Sequence, residues 1–198
     1  MTRVSVYSSA LVAFMAVTGM IIASIALPNW VSYSVTTAKG EHIQKIIGLH
    51  KSCSTLNDPS CTPFPTSELC QAGERYFCSM WKTVGFLASF SVLLCFATLV
   101  TFGVTLGGGK YKRESGWAIV ATLLTLVSVV EFVIISIVAY LYDNDGQFSI
   151  PGWKLDKSWY LGTVGAGIAL LTGIGMALSA YMLPPEEGYE FIDDPLDP

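Results

Sequence analysis

Cys53, Cys61, Cys70 and Cys78 are the side chains whose type and spacing most invite chemistry in this sequence. Thiols in such a set can oxidise to cystine, bind zinc as thiolates, or exchange disulfides as an enzyme does. Zinc sites favour C-x-x-C-like spacing, and here the gaps are seven or eight residues, which argues against a metal. A thiol oxidoreductase needs a reactive pair with a depressed pKa, usually C-x-x-C, and the sequence has none. His42 and His50 make no recognisable site with a nucleophile, and Gly107-Gly108-Gly109 reads as a helix stop rather than a nucleotide loop. No enzyme activity, cofactor, metal or nucleic-acid partner is expected. An even set of cysteines among turn residues fits a disulfide framework on an oxidising face. Four cysteines allow three connectivities. Joining Cys53 to Cys61 closes a hairpin-sized loop. Joining Cys70 to Cys78 demands a bend, because residues eight apart on a straight helix lie about 12 Å apart, beyond the roughly 7 Å Cα separation a disulfide spans. That bend is expected at Ala72-Gly73, within a short helix over 66–78 that leads into the second apolar run. Cys95 falls inside an apolar run and is expected to be a small buried filler.

Glu131 is the one charged residue within the apolar runs. It lies about ten residues from the outer end of its run, or roughly 15 Å along a helix. A carboxylate at that depth is costly, so it should face other helices and find polar partners. No Lys, Arg or His occurs in any run, which leaves hydroxyls such as Thr18, Thr98 or Thr172 as candidates. A bonding role is expected, with an ion or proton path as the alternative. Gly165, Ala169, Gly173 and Ala177 recur every four residues and make a ridge of small side chains on one helix face. The ridge predicts close packing inside the molecule, or self-association.

The elements that carry these residues are four apolar runs at about 8–27, 83–109, 116–141 and 158–185. A hydrocarbon core of about 30 Å needs roughly 20 helical residues, and lipid leaves backbone groups no partner outside a helix. Composition agrees, with 52% hydrophobic and 13% charged residues, against about 25% charged in soluble domains. A single four-helix membrane bundle over 1–198 is predicted. The first run is longer than a signal-peptide core of about 7–15 residues, so an uncleaved helix is expected despite Arg3 and the small residues Ser24-Ile25-Ala26. The basic cluster Lys110, Lys112 and Arg113 belongs on the cytoplasmic side, and the cysteines belong outside. Both termini are therefore expected in the cytoplasm, with outer loops over 28–82 and 142–157.

The first loop alternates like a strand, with Val31, Tyr33 and Val35 on one face and Ser32, Ser34 and Thr36 on the other. A second strand is predicted over 43–49. Gly40 and Asn57-Asp58-Pro59 are the turn signals, and Pro63 and Pro65 should break any ladder after Cys61. In the second loop, turns are expected at Asn144-Asp145-Gly146 and at Pro151-Gly152. Trp153, Trp159 and Tyr160 there are expected as membrane-interface anchors.

Leu27-Pro28-Asn29-Trp30, then Gly48-Leu49-His50, then Cys53 and Cys61 resemble the claudin signature of tryptophan, Gly-Leu-Trp and two cysteines. The likeness to the claudin superfamily extends over the whole chain in its spans, loop lengths and topology. It implies that Cys53 and Cys61 are bonded, and that a small extracellular antiparallel sheet stands on the bundle. It also implies that Trp30 packs the sheet onto the helices and that the second loop adds a strand. His50 replaces the second tryptophan of the motif, and Cys70 and Cys78 are additional. Leu196-Asp197-Pro198 is not a hydrophobic PDZ-binding terminus, so no PDZ ligand is expected there. These departures resemble the divergent claudin-like tetraspans of fungi.

Loop charges between Trp30 and Cys78 cancel: Lys39, Lys45, Lys51 and Arg75 against Glu41, Asp58, Glu68 and Glu74. That balance supplies no positive sign of a charge-selective pore. The segment 186–198 holds six acidic residues and no basic one, and without it the net charge of −4 would be +2. It is expected to be disordered, with Tyr189-Glu190-Phe191-Ile192 matching a tyrosine-based sorting pattern. The function expected is a structural or organising tetraspan of the plasma membrane. Its partners would be the lipid bilayer and, laterally, itself or other membrane proteins. The alternative is an auxiliary channel subunit or a claudin-type pore.

Overall fold

A computed structural model describes residues 3–36, 40–56, 60–71 and 75–183. The expected turn at Asn57-Asp58-Pro59, the bend at Ala72-Gly73 and the acidic segment 186–198 lie outside these residues. In chain order the elements are α1 (Arg3–Ala26), β1 (Val31–Thr36), β2 (His42–Ile47), β3 (Lys51–Ser54), β4 (Cys61–Pro63), α2 (Ser67–Gln71), α3 (Arg75–Gly107), α4 (Gly109–Asn144), β5 (Trp153–Leu155) and α5 (Lys157–Met182). A single 3-10 turn, Gly146–Phe148, lies between α4 and β5.

Four helices, α1, α3, α4 and α5, are long and apolar enough to cross a membrane. Two of them outrun the apolar stretches that predict them. The second, α3, begins at Arg75 rather than residue 83, and the third, α4, runs from Gly109 to Asn144 rather than over 116–141, while α5 ends at Met182, short of 185. Lys112 and Arg113 thus ride on the start of α4 instead of a loop. Hydropathy marks where a helix is apolar, whereas hydrogen bonding continues until a residue stops it. That stop is the glycine triplet, where Gly109 adopts φ +78°, a conformation that only glycine takes without steric cost. α5 neighbours α1 and α4, and α3 completes the bundle against α4 and α1.

The five strands form one antiparallel sheet in the order β4-β3-β2-β1-β5. The β1–β2 hairpin pairs Val31 with Ile47 through Thr36 with His42, and Gly40 beyond it has φ +81°. Two expectations need correction. The alternation of β1 is incomplete, because Val31 and Ser32 are both buried while Val35 is exposed. The base of β1 is covered by β5, which pairs only with Val31 to Tyr33, whereas the tip projects beyond it. The ladder also continues past Cys61, since Lys51 pairs with Pro63 and the Phe64 N–H donates to the His50 carbonyl (3.0 Å). Proline is accommodated because β4 is an edge strand, where no further partner awaits its missing N–H.

Two apolar clusters fill the interior. The outer one joins Trp30, Val31, Ile47 and Leu49 beneath the sheet to Phe77, Trp81, Ile134 and Val138 of the helices. The inner one is built by Phe14, Val17, Ile21, Phe102, Leu124 and Met176.

Candidate functional site

The joint between the sheet and the helices gathers most of the residues singled out above. Trp30 is 1% exposed. Its indole N–H donates to the Ser24 carbonyl at the end of α1 (2.8 Å). Its own backbone N–H donates to Ile47 and its carbonyl accepts from Asp156 N–H, both at 3.0 Å. One residue therefore ties α1, β2 and the entry to α5. Gly48 abuts Pro28 so closely that a Cβ there would sit 2.5 Å from the proline Cα. Any side chain would force the Leu27–Trp30 segment away from the sheet, which accounts for glycine at this place. Leu49 follows, buried in the outer cluster, and the Gly48 N–H donates to Lys51 to close the β2–β3 turn (2.8 Å).

Aromatic rings continue the joint. Tyr33 and Trp153 meet at 5.2 Å, Trp153 and Phe148 at 5.2 Å, Phe148 and Phe77 at 6.0 Å, and Phe77 and Trp81 at 5.4 Å. Phe64, after β4, packs edge-on against both Phe77 (6.0 Å) and Trp81 (5.5 Å). Such ring pairs contribute about 0.5–1.5 kcal/mol each beyond their burial. Trp153 and Trp159 are half-buried and pack against the outer cluster. The Trp159 indole N–H donates to the Ile135 carbonyl (3.1 Å), while Tyr160 is exposed.

Of the three possible connectivities, the structure has Cys53–Cys61 and Cys70–Cys78. Cys53 and Cys61 face each other across the β3–β4 ladder, with Cα atoms 4.0 Å apart. Cys70 on α2 and Cys78 on α3 have Cα atoms 5.7 Å apart, so 66–78 is not the single straight helix that would separate them. Cys95 is a buried free thiol.

Asp156, which the sequence offers only as one of the second-loop charges, has a structural role. Its carboxylate accepts the Lys157 N–H at the start of α5 (2.8 Å) and a bond from the Asn29 side chain (3.4 Å). The Ser158 hydroxyl donates to the Leu27 carbonyl (3.1 Å), so the start of α5 is fastened to the same Leu27–Trp30 segment. Burial pushes the Asp156 carboxyl up, but the Lys157 N–H, the adjacent Ser32 and Asn29 side chains and the Lys154 charge together outweigh it and hold its pKa below the ordinary value. The buried Ser32 hydroxyl is close enough to favour the carboxylate, though without a hydrogen bond of good geometry. An aspartate immediately before an apolar helical run is an N-cap signal that could have found this residue.

Deeper in the bundle, Glu131 is 2% exposed and accepts a hydrogen bond from the Ser91 hydroxyl of α3. Ser91, not Thr18, Thr98 or Thr172, is its partner. Those threonines donate to the carbonyls of Phe14, Leu94 and Ile168 four residues earlier on their own helices. A Cβ on Gly162 would lie 3.7 Å from the Glu131 carboxylate, so α5 closes the third side. The small-residue ridge divides between two neighbours. Gly165 faces Val17, Met20 and Ile21 of α1, whereas Gly173 faces Ala121, Leu124 and Thr125 of α4. Ala169 is fully buried between them, and Ala177 lines the seam with α4. Gly165 and Ala169 are thus covered inside the molecule, whereas Gly173 and Ala177 also border an open groove along the α4–α5 seam.

Among the described residues no group of His, Cys, Asp and Glu is arranged to hold a metal. No family model matches the chain, and no curated protein matches it.

Proposed function

We propose that this chain is a multi-pass membrane protein that presents a rigid extracellular platform and organises its surroundings through that platform and through lateral helix contacts. The observation that carries this reading is the joint just described. A five-stranded sheet closed by the Cys53–Cys61 cystine is fastened to four apolar helices by Trp30, Gly48 and Asp156. A platform so anchored transmits a contact on its outer face to the helices without a hinge between them. The apolar exterior supports insertion in lipid, because Val12, Phe86, Leu93, Val100 and Leu171 are each more than 60% exposed along the middles of their helices. In water such a belt would drive aggregation. In this reading the membrane is the plasma membrane, the termini face the cytoplasm, and the fold is claudin-like.

Lysine labelling of intact cells that express the full chain tests the topology. Lys45 and Lys51 should react from outside, and Lys112 only after permeabilisation. Lateral crosslinking then tests the role. Discrete membrane-protein adducts, lost when Cys53 and Cys61 are both replaced by serine, are the expected result. Labelling of Lys112 in sealed cells would overturn the orientation. Adducts indifferent to the state of the platform would overturn the organising role.

A further inference from the structure

The two cystines lie in unequal surroundings. Cys61 is exposed on β4, and Cys53 opposite it lines an open groove of about 160 Å³ with Gln44, Ile46, Thr55 and Ser60. Cys78, by contrast, is 3% exposed, and Cys70 packs against the outer apolar cluster. Thiol–disulfide exchange requires a thiolate to reach one sulfur of the bond, so access ranks the two cystines.

The accessible cystine also holds the weaker element. β4 is the edge of the sheet, and Pro63 has no N–H to give its ladder. Beside the cystine, the Ser54 N–H donates to the Ser60 carbonyl (2.8 Å) and the Phe64 N–H to the His50 carbonyl (3.0 Å). Directly after β4, Phe64 sets its ring edge-on against Trp81 at 5.5 Å. Trp81 is 0% exposed, yet its indole N–H meets no acceptor among the described residues. A buried donor without a partner disfavours the closed arrangement, and water would supply that partner once the cover lifts. Farther along, the segment enters α2, which the Cys70–Cys78 bond ties to α3.

We propose that Cys53–Cys61 is a redox latch on the platform: a dithiol in the surrounding water opens it while Cys70–Cys78 stays closed, and β4 with Phe64 then lifts off Trp81 as a tethered flap. As regulation of the platform, the latch rests on the reading given above. One thiolate of the dithiol attacks Cys61 Sγ, and Cys53 Sγ leaves as a thiolate and takes up a proton. The second thiolate of the dithiol then closes on its own sulfur in the mixed disulfide and releases Cys61, which is protonated in turn. The cystine gains two electrons and the dithiol becomes a disulfide. The closed Cys70–Cys78 bond keeps the flap near its seat, so that reoxidation can restore the original pair.

Timed alkylation of the full chain in bilayer nanodiscs, with dithiothreitol as the dithiol, reads each bond by peptide mapping. Cys53 and Cys61 should be labelled roughly tenfold faster than Cys70 and Cys78, because access sets the rate. Hydrogen exchange over 60–66 should rise as the 53–61 bond opens, while exchange over 81–107 stays unchanged. Cys53→Ser with Cys61→Ser should show the raised exchange without dithiol and no response to it. Wild type reduced after folding gives the same reading without requiring that variant to fold. Equal rates at the two cystines, or exchange over 60–66 unchanged by reduction, overturns the latch. Reoxidation with glutathione disulfide should restore the 53–61 pair, and mixed pairs with Cys70 or Cys78 would overturn the tethered flap. Lateral adducts on the same samples should fall as the bond opens. Adducts that persist after the latch opens on schedule defeat the organising reading alone, whereas equal rates defeat the latch alone.

Discussion

Ser91 and Glu131 stand forty residues apart in sequence and meet between α3 and α4. Their interaction makes an asymmetric prediction. Glu131→Gln keeps an acceptor for Ser91 and should leave thermal stability in detergent nearly unchanged. Glu131→Leu leaves the serine without its acceptor and puts a branched side chain against Gly162 and Ser91, and should cost about 1–3 kcal/mol. Equal melting temperatures for the two variants would count against the bond. A double-mutant cycle with Ser91→Ala should give a coupling of about 0.5–3 kcal/mol. Asp156 makes a prediction in pH. Its folded-state pKa is lowered, so its stabilising contribution is present above the unfolded carboxyl value of about 3.9 and is lost as pH falls through the lower folded value. Melting temperature should therefore fall with acidification below about pH 4, and Asp156→Ala should flatten that part of the profile.

At the level of elements, the sheet depends on closures its own hydrogen bonds cannot supply. β3 and β4 have four and three residues, too few for an independent ladder. Their cystine and the register Cys53 to Cys61 hold them. Replacing Cys70 and Cys78 with serine should cost about 2–3 kcal/mol by the chain-entropy account, and should free α2 from α3. Peptide mapping under non-reducing conditions should recover the 53–61 and 70–78 pairs. Alkylation of Cys95 should require unfolding. Gly48→Ala should be disproportionately harmful for one methyl group, by about 1–3 kcal/mol, because backbone rather than a movable side chain stands 2.5 Å from the new atom.

For the molecule as a whole, the question is whether the small-residue face of α5 joins copies together or joins helices within one chain. Gly165 and Gly173 already meet α1 and α4. Gly173→Leu should accordingly lower the melting temperature of the single chain and leave its crosslinked oligomer distribution unchanged. Loss of oligomers at unchanged stability would return the face to self-association. Trp30→Ala should separate platform from bundle, with a loss of about 3–5 kcal/mol and protease access to the 31–71 region before the helices melt.

Four long apolar runs and a loop rich in cysteine and turns determined by themselves that the chain would form four helices and a small sheet. Length and hydropathy act locally and have few alternative solutions. The sequence also marked Glu131 as a lone charge in an apolar run, and Trp30, Gly48 and Leu49 through their resemblance to a known signature. It did not determine who meets whom. The Ser91 partner, the division of the ridge between α1 and α4, and the helical start of α4 at Gly109 all depend on how helices rotate and cross. Many side chains of similar size and polarity compete for each such contact, and the choice among them is made by close packing of the assembled chain.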